Sequence, residues 1–427
     1  MSTRVVSVAL GSLGDVRPHI ALGQQLAADG REVLLLVLKD AGDLVRARDV
    51  PVATFPASMP TVEGRSALET RVLGQLAVRS QAGAAHVLMS WQKEIAGAVA
   101  DTLLAQVRSG DVVVTGILTL GAVESVARHV GAEVVVSAFV PMWPTAHGES
   151  HLTAPLPHRV HPLNALTSRP YPWLVARLGA AVDDAVRDRL GLTRRSHRER
   201  ASATAHLPAL LAASPLLAPA PADAVADVVA TGPWIPDGGG GGDARERLLR
   251  DFVAGGSAPV YIGFGSMPTA SPEREVRLFM EAARRAQVRL VVRPAVGYRG
   301  PSRPLPGVWV LRPDEVVDHD ALFGGCAAVV HHGGAGTTHA ALRSGVPSLV
   351  VPHAFDQVYF GRRTHDLGVG PPPLPRRRLS ASRLAERITA LTRGENAPTY
   401  RRRAAEVAEA MSHEDGAATA ATHLRAP

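Results

Sequence analysis

The segment Val329-Val330-His331-His332-Gly333-Gly334-Ala335-Gly336-Thr337-Thr338 decides how this chain folds. The apolar run at residues 326–330 predicts a buried strand, and the apolar spacing of residues 340–342 predicts a helix after the small residues. A strand, a glycine-rich turn and a helix start bring bare backbone N–H groups close to a phosphate. The helix dipole adds about half a positive charge at that end. We therefore predict an anion-binding turn here.

A second apolar strand is predicted just downstream, at residues 346–352, and it leads to Asp356 and Gln357. A carboxylate and an amide next to each other can exchange hydrogen bonds with several hydroxyl groups. Together with the anion-binding turn, this pair indicates a ligand that has a phosphate end and a hydroxyl-rich end.

The same alternation of strand, loop and helix is repeated along the chain. Residues 5–10 predict a strand and residues 11–16 a tight loop, while Arg17-Pro18-His19 is expected to open a helix because proline is tolerated in a first turn. Residues 32–38 predict the next strand. Strands that are apolar throughout indicate a parallel sheet covered on both faces, so the fold class is α/β with doubly wound, Rossmann-like domains.

The length of 427 residues exceeds one ordinary core and predicts two domains. Residues 1–235 are expected to form the first domain, and residues 236–258, which contain five consecutive glycines, a flexible linker. Residues 259–410 are expected to form the second domain, followed by a tail at residues 411–427.

The composition excludes several functional classes. The net charge is +7, but only Lys39 and Lys93 are lysines, and no dense basic run lies beside aromatic residues, so we do not expect nucleic-acid binding. The single cysteine, Cys326, fits a reducing compartment. The apolar run at the N-terminus is too short for a signal peptide, and we see no membrane span. We therefore expect a soluble, cytoplasmic protein, and leave its oligomeric state open.

Four motifs occur in an order that resembles a known family. They are Gly11-Ser12-Leu13-Gly14-Asp15-Val16-Arg17-Pro18, then Tyr261-Ile262-Gly263-Phe264-Gly265-Ser266-Met267, then residues 331–338, and finally Asp356-Gln357. Together they are similar to glycosyltransferases of the GT-B fold, in the branch that includes antibiotic (glycopeptide and macrolide type) and sterol glycosyltransferases. The resemblance is strongest from residue 259 to about residue 373.

The resemblance implies two Rossmann-like domains that face each other across a cleft. The second domain would hold a nucleoside-diphosphate sugar, TDP- or UDP-linked, and the first would hold the acceptor. The tail would cross back to the first domain. The resemblance also implies a reaction that inverts the configuration of the anomeric carbon and needs no metal ion. We therefore expect no metal and no tightly bound cofactor.

Asp15 has two interpretations. It could cap the helix that follows, which is a common role for aspartate. The resemblance instead implies a general base that removes the proton of an acceptor hydroxyl. His19, one helical turn away, is the alternative base, although we expect it on the helix surface. Ser12, Leu13 and Gly14 would form the loop near both substrates.

The donor site implied by the resemblance combines the turn with its neighbours. His332 matches the family's phosphate-contacting histidine, and Ser266 matches a phosphate-contacting serine; the alternative for the turn is simple glycine-rich packing. Val317 would border the nucleobase, and Asp356 and Gln357 would bind sugar hydroxyls, with a helix cap as the alternative role of Asp356. The full predicted set is Gly265, Ser266, Val317, His331, His332, Gly333, Gly334, Ala335, Gly336, Thr337, Asp356 and Gln357.

The acceptor is expected to be a lipophilic small molecule, and Met142, Trp143 and His147 are expected to contact it because they lie in an irregular stretch of the first domain. The predicted function is an inverting glycosyltransferase, in natural-product biosynthesis or acting on sterols. Two alternatives remain: a sugar-nucleotide epimerase on the same scaffold and a non-catalytic protein that binds sugar nucleotides.

Overall fold

A computed structural model of the chain describes residues 3–424, except residues 60–80, 147–161, 238–243, 266, 268, 270, 303–304, 313–314, 316 and 354–355. The chain divides into two units. The first contains most of the chain up to Asp237 together with residues 414–424, and the second contains residues 244–413.

The first unit is built on a parallel sheet of seven strands in the order β3-β2-β1-β4-β5-β6-β7. This is a doubly wound arrangement, as the apolar strands predict. The strands are β1 (Val5–Ala9), β2 (Val33–Leu38), β3 (Val52–Phe55), β4 (Val112–Thr115), β5 (Glu133–Ala138), β6 (Ala209–Leu211) and β7 (Val228–Ala230). The helices are α1 (Leu13–Ala28), α2 (Lys39–Arg46), α3 (Gln81–Gln106), α4 (Leu120–Val130), α5 (Pro162–Ser168), α6 (Tyr171–Leu178), α7 (Ala180–Arg189) and α8 (His197–Thr204).

Helix α1 begins earlier than the sequence predicts. Ser12 is its N-cap, and Asp15 completes a capping box, in which each side chain bonds to the backbone of the other residue. The helix therefore starts at Leu13, so that Pro18 lies inside it rather than in its first turn. The prediction that Arg17-Pro18-His19 opens this helix is wrong because the capping box outweighs the proline as a start signal.

The second unit is built on a parallel sheet of five strands in the order β10-β9-β8-β11-β12. Its strands are β8 (Val260–Gly263), β9 (Leu290–Arg293), β10 (Val308–Val310), β11 (Ala328–His331) and β12 (Ser348–Val350). Its helices are α9 (Ala244–Ala254), α10 (Pro272–Arg285), α11 (His319–Gly324), α12 (Ala335–Arg343), α13 (Gln357–Asp366), α14 (Ala381–Thr392) and α15 (Ala397–Met411).

Both faces of the second sheet are buried, as expected for parallel strands. Val260 and Ile262 of β8 pack with residues of α10 and α14 in one apolar cluster. Tyr261, which points to the opposite face because side chains alternate along a strand, packs with residues of α9, α11 and α12. Burying such side chains stabilises the unit by about 1.5–3 kcal/mol for each large residue.

The last helix, α16 (Gly416–His423), belongs to the first unit. Its alanines share an apolar cluster with Leu22 and Leu26 of α1 and with Trp234. The guanidinium of Arg31 donates a 2.7 Å hydrogen bond to the carbonyl of Leu424, at the end of α16 where the helix dipole favours a positive charge. The first unit is therefore completed by residues from the far end of the sequence. Within the part of the chain that the structure describes, no helix is long and apolar enough to span a membrane.

Candidate functional site

The turn between β11 and α12 has the geometry of an anion site. Gly334 is the N-cap of α12, and none of the described side chains caps this helix. The first N–H groups of an α-helix have no partner within the helix, so those of the first turn of α12 are available to a ligand. Gly333 has a φ of 93°, a left-handed conformation that glycine adopts without strain. Backbone donors and the positive helix end together favour a negatively charged ligand.

His331 is fixed in one neutral form. Burial lowers the pKa of its imidazole to about 3, with smaller effects from His332 and His319. Its Nδ1 accepts a 3.2 Å hydrogen bond from the N–H of Gly333, so the proton of the neutral ring lies on Nε2. Among the described residues, this buried Nε2 has no hydrogen-bond partner. A buried N–H without a partner costs free energy, which a ligand oxygen would recover.

His332 lies between two glycines of neighbouring loops. A Cβ on Gly265 would come within 2.9 Å of Cε1 of the ring, and a Cβ on Gly334 within 2.4 Å of its Nε2. Gly265 also has a φ of 59°, so both its conformation and its contact require glycine. Burial lowers the pKa of His332 to about 4, so the ring is neutral at pH 7. The loops after β8 and β11 are thus brought together around one imidazole.

Asp356 and Gln357 lie beside this turn, after β12. Gln357 is buried, and its side-chain oxygen accepts a 2.8 Å hydrogen bond from the N–H of His353. Asp356 occupies the N-cap position of α13, but its side chain makes no capping hydrogen bond. The cap alternative for Asp356 therefore describes its place in the chain but not the role of its carboxylate.

The carboxylate of Asp15 makes a structural contact with Ser12, and its pKa is shifted. Its Oδ2 accepts hydrogen bonds from the N–H of Ser12 (2.8 Å) and from the Ser12 hydroxyl (2.9 Å). Burial raises the pKa of the carboxyl above its ordinary value, although the hydrogen bonds from Ser12 oppose the shift. The capping alternative is thus partly right: Asp15 completes the capping box as the third residue of α1, whereas Ser12 is the N-cap.

The side chain of His19 is buried between α1 and the sheet. The expectation that it lies on the helix surface is therefore wrong. Its Nδ1 contacts the Ser7 hydroxyl at 2.6 Å and its Nε2 contacts the Ser137 hydroxyl at 3.2 Å. Burial lowers its pKa to about 4. Because both ring nitrogens have hydroxyl partners and the side chain is buried, the structure disfavours His19 as the base. The signal was present in the sequence, because Ser7 and Ser137 interrupt otherwise apolar strands.

The remaining predicted residues fall into three groups. Ser266 and His147 lie outside the described residues. Val317 and Met142 are buried. The others are at least partly accessible or belong to the turns described above, namely Ser12, Leu13, Gly14, Trp143, Ala335, Gly336 and Thr337. Within the described residues, no three His, Cys, Asp or Glu side chains form a group that could hold a metal ion.

Buried histidines predict that the second unit is acid-labile. Burial lowers the pKa of His331 and His353 to about 3, and of His332 and His339 to about 4. Below about pH 6.5 these histidines bind protons in the unfolded chain but stay neutral in the folded unit. The free energy of unfolding is therefore retained above pH 6.5 and falls towards pH 4. At pH 5.5 each histidine should remove about 1 kcal/mol from the free energy of unfolding.

Scanning calorimetry at pH 7.5 and 5.5 measures this loss. The transition of the second unit, with four such histidines, should fall more than that of the first, where His19 is the one histidine among the described residues whose pKa burial lowers to about 4. His339→Phe removes one proton-binding group and keeps a ring beside Phe360, so it should make the pH dependence shallower. Equal shifts of both transitions would contradict the assignment.

The chain is similar in sequence to known glycosyltransferases. Residues 301–426 match a family model described as the C-terminal domain of erythromycin biosynthesis protein CIII-like proteins. The vancomycin aglycone glucosyltransferase of Amycolatopsis orientalis is 30% identical over 441 residues, which cover 99% of this chain and 97% of that protein. Sterol 3-beta-glucosyltransferase UGT80B1 of Arabidopsis thaliana is 36% identical over 216 residues, or 50% of this chain. The matched part spans only 34% of the length of that sterol enzyme.

A solved structure has the same fold over its whole length. The glycosyltransferase SsfS6 of Streptomyces sp. SF2575, complexed with thymidine diphosphate, is 20% identical and superimposes with a TM-score of 0.58. The match covers 99% of this chain and 99% of that one.

Proposed function

The chain belongs to the GT-B glycosyltransferases, and from this premise we propose that it transfers a sugar from a nucleoside diphosphate to a hydroxyl of a lipophilic small molecule. The transfer inverts the anomeric carbon and takes place in natural-product biosynthesis. The vancomycin aglycone glucosyltransferase and the erythromycin-type family model support this class of acceptor.

The observation that carries the proposal is the uncapped start of α12 beside two neutral histidines. A diphosphate gains negative charge as its bond to the sugar breaks, and donors fixed in place stabilise that charge. The first N–H groups of α12 and the buried Nε2–H of His331 are such donors. In this mechanism they take the role that a metal ion has elsewhere, so activity should not require one.

Asp15 supplies the other half of the reaction. In the proposed step, its Oδ1 accepts the proton of the acceptor hydroxyl while Ser12 holds Oδ2. The acceptor oxygen forms its bond to the anomeric carbon from one face, and the bond to the diphosphate breaks on the other. A raised pKa makes the carboxylate a stronger base than an ordinary aspartate.

Two groups of residues complete the site in this proposal. Asp356 and Gln357 bind hydroxyls of the sugar, since they follow β12, the strand next to β11. Trp143, which is partly exposed, contacts the acceptor. A thymidine or uridine diphosphate carries the sugar, a choice supported by the related structure that holds thymidine diphosphate.

Product analysis tests the proposal directly. The protein is incubated with TDP- and UDP-sugars and with polyketide, glycopeptide and sterol aglycones, with and without EDTA, and the products are identified by mass spectrometry. We expect a glycoside and free nucleoside diphosphate in equal amounts, unaffected by EDTA. A changed sugar nucleotide without an acceptor would indicate an epimerase, and binding without any turnover would indicate an auxiliary protein. Products from sterols alone would favour the sterol glucosyltransferase alternative, which the match to UGT80B1 supports.

A further inference from the structure

A half-buried arginine holds the loop that follows β10. We call the described residues between β10 and α11, namely residues 311, 312, 315, 317 and 318, the β10 loop. Arg245, in the first turn of α9, donates from Nε to the carboxylate of Glu315 at 2.9 Å. Its terminal nitrogen donates to the carbonyls of Ser302 (3.0 Å) and Val310 (2.9 Å). The guanidinium also lies 5.2 Å from the centre of the Trp309 ring.

Glu315 connects these contacts to the rest of the loop. The carboxylate oxygen that binds Arg245 also accepts a 2.9 Å hydrogen bond from the N–H of Arg312. The N–H of Glu315 donates back to the carbonyl of Arg312, which closes a turn. Arg293, the last residue of β9, donates to the carbonyl of Glu315 at 2.7 Å. Side chains from two other elements thus hold one residue of the β10 loop by both its side chain and its backbone.

The position of Arg245 is unfavourable for α9 itself. A cation in the first turn of a helix faces the positive end of the helix dipole. The side chains of Arg245 and Glu315 are 20% and 12% exposed, so their pairing also requires partial loss of water. An arginine at position 245 therefore does not stabilise α9. Its contacts instead hold the β10 loop.

The β10 loop lies where a nucleoside would reach. Ligands of doubly wound sheets bind at the carboxyl ends of the strands. If the diphosphate lies after β11 and the sugar extends towards β12, the nucleoside extends the other way, past β8 and β9 to β10. Three strand spacings of about 4.8 Å amount to about 14 Å, a span that an extended nucleoside diphosphate covers.

We propose that Arg245, Glu315 and Arg293 are positioning residues that keep the β10 loop in the conformation that receives the nucleoside of the donor. The inference rests on the proposed function and adds residues outside the sequence motifs. A loop that is already ordered binds without an ordering cost. If its release left the binding conformation populated about one tenth of the time, nucleoside diphosphate affinity would fall about tenfold.

Binding measurements on matched variants test the proposal. We expect Arg245→Met and Glu315→Gln to weaken binding of TDP and UDP about tenfold. Binding of inorganic pyrophosphate, which lacks a nucleoside, should not change. In the steady state, KM for the donor should rise while kcat at saturating donor stays within about twofold, because bound donor restores the loop. Arg245→Lys should recover part of the affinity, since an ammonium keeps the charge but not the planar set of contacts.

Arg289 provides the control. Its guanidinium lies 4.2 Å from the centre of the Phe252 ring and donates to the carbonyls of Ser257 and Phe252, at the amino end of β9. Arg289→Met should therefore lower Tm and leave nucleotide affinity unchanged. Equal loss of pyrophosphate and nucleotide binding in Arg245→Met and Glu315→Gln, or no loss in either, would overturn the inference alone. Failure of the unaltered protein to bind any nucleoside diphosphate would overturn the proposed function as well.

Discussion

An Asp15→Asn variant is expected to lose about a thousandfold in turnover and to fold as well as the parent protein. Asparagine keeps the shape of the side chain and an oxygen for the capping box, but it cannot accept the proton of the acceptor hydroxyl. Because burial raises the pKa of Asp15, the ionised carboxylate opposes folding at neutral pH. Removing the charge should therefore leave Tm unchanged or raise it slightly, as often happens at residues whose role is chemical.

Steady-state rates, donor affinity and Tm are to be measured together. Asp29→Asn, at the other end of α1, where the carboxylate accepts a bond from Gln25, makes the same chemical change and should leave turnover unaffected. In the unaltered protein, kcat should fall as the pH drops below the raised pKa of Asp15, and the residual activity of Asp15→Asn should lack this limb. Normal turnover in Asp15→Asn would exclude Asp15 as the base.

A Gly336→Val variant is expected to weaken nucleoside diphosphate binding by about a hundredfold, which corresponds to about 2.7 kcal/mol. Apart from its chain neighbours and the nearby backbone of α12, no described heavy atom lies within 4 Å of the place where a Cβ on Gly336 would be. We therefore expect the valine side chain to be accommodated by the fold and to occupy space in front of the first N–H groups of α12. Because a valine is tolerated better than a glycine within a helix, the fold should not suffer.

Calorimetric titration with TDP, UDP and pyrophosphate, together with Tm, provides the measurement. Gly324→Val is the matched control, since Gly324 is also a helical residue of the second unit whose Cβ would meet nothing within 4 Å of the described structure. It should change neither affinity nor fold. Loss of all three ligands in Gly336→Val alone supports the diphosphate site, and unchanged affinity would place the diphosphate elsewhere.

Short-range features of this molecule could be predicted from its sequence. The turn after β11 is encoded by an apolar run, two histidines and three glycines, all within ten residues, and its geometry depends mainly on those residues. The start of α1 is harder to predict from the sequence, because proline and the capping box of Ser12 and Asp15 compete as start signals. Their balance depends on hydrogen bonds that only the folded loop reveals.

Long-range contacts could not be predicted in the same way. The partners of His19 lie on β1 and β5, which are separated by more than 100 residues of sequence, and their meeting depends on the order of strands in the sheet. Arg245 and Glu315 are likewise 70 residues apart. Each residue alone has the character of an ordinary surface charge. Only the topology that places α9 beside the end of β10 gives the pair its role.

The return of α16 to the first unit has a practical consequence for engineering. Exchange of whole units between relatives is an obvious route to new combinations of donor and acceptor. A chimera with one junction near residue 240 would join a native α1 to a foreign partner helix, and the Arg31 contact with the end of α16 would have to form across two unrelated sequences. Recombination should therefore use two junctions, one near residue 240 and one just before Glu414, so that each transplanted piece carries a complete hydrophobic core.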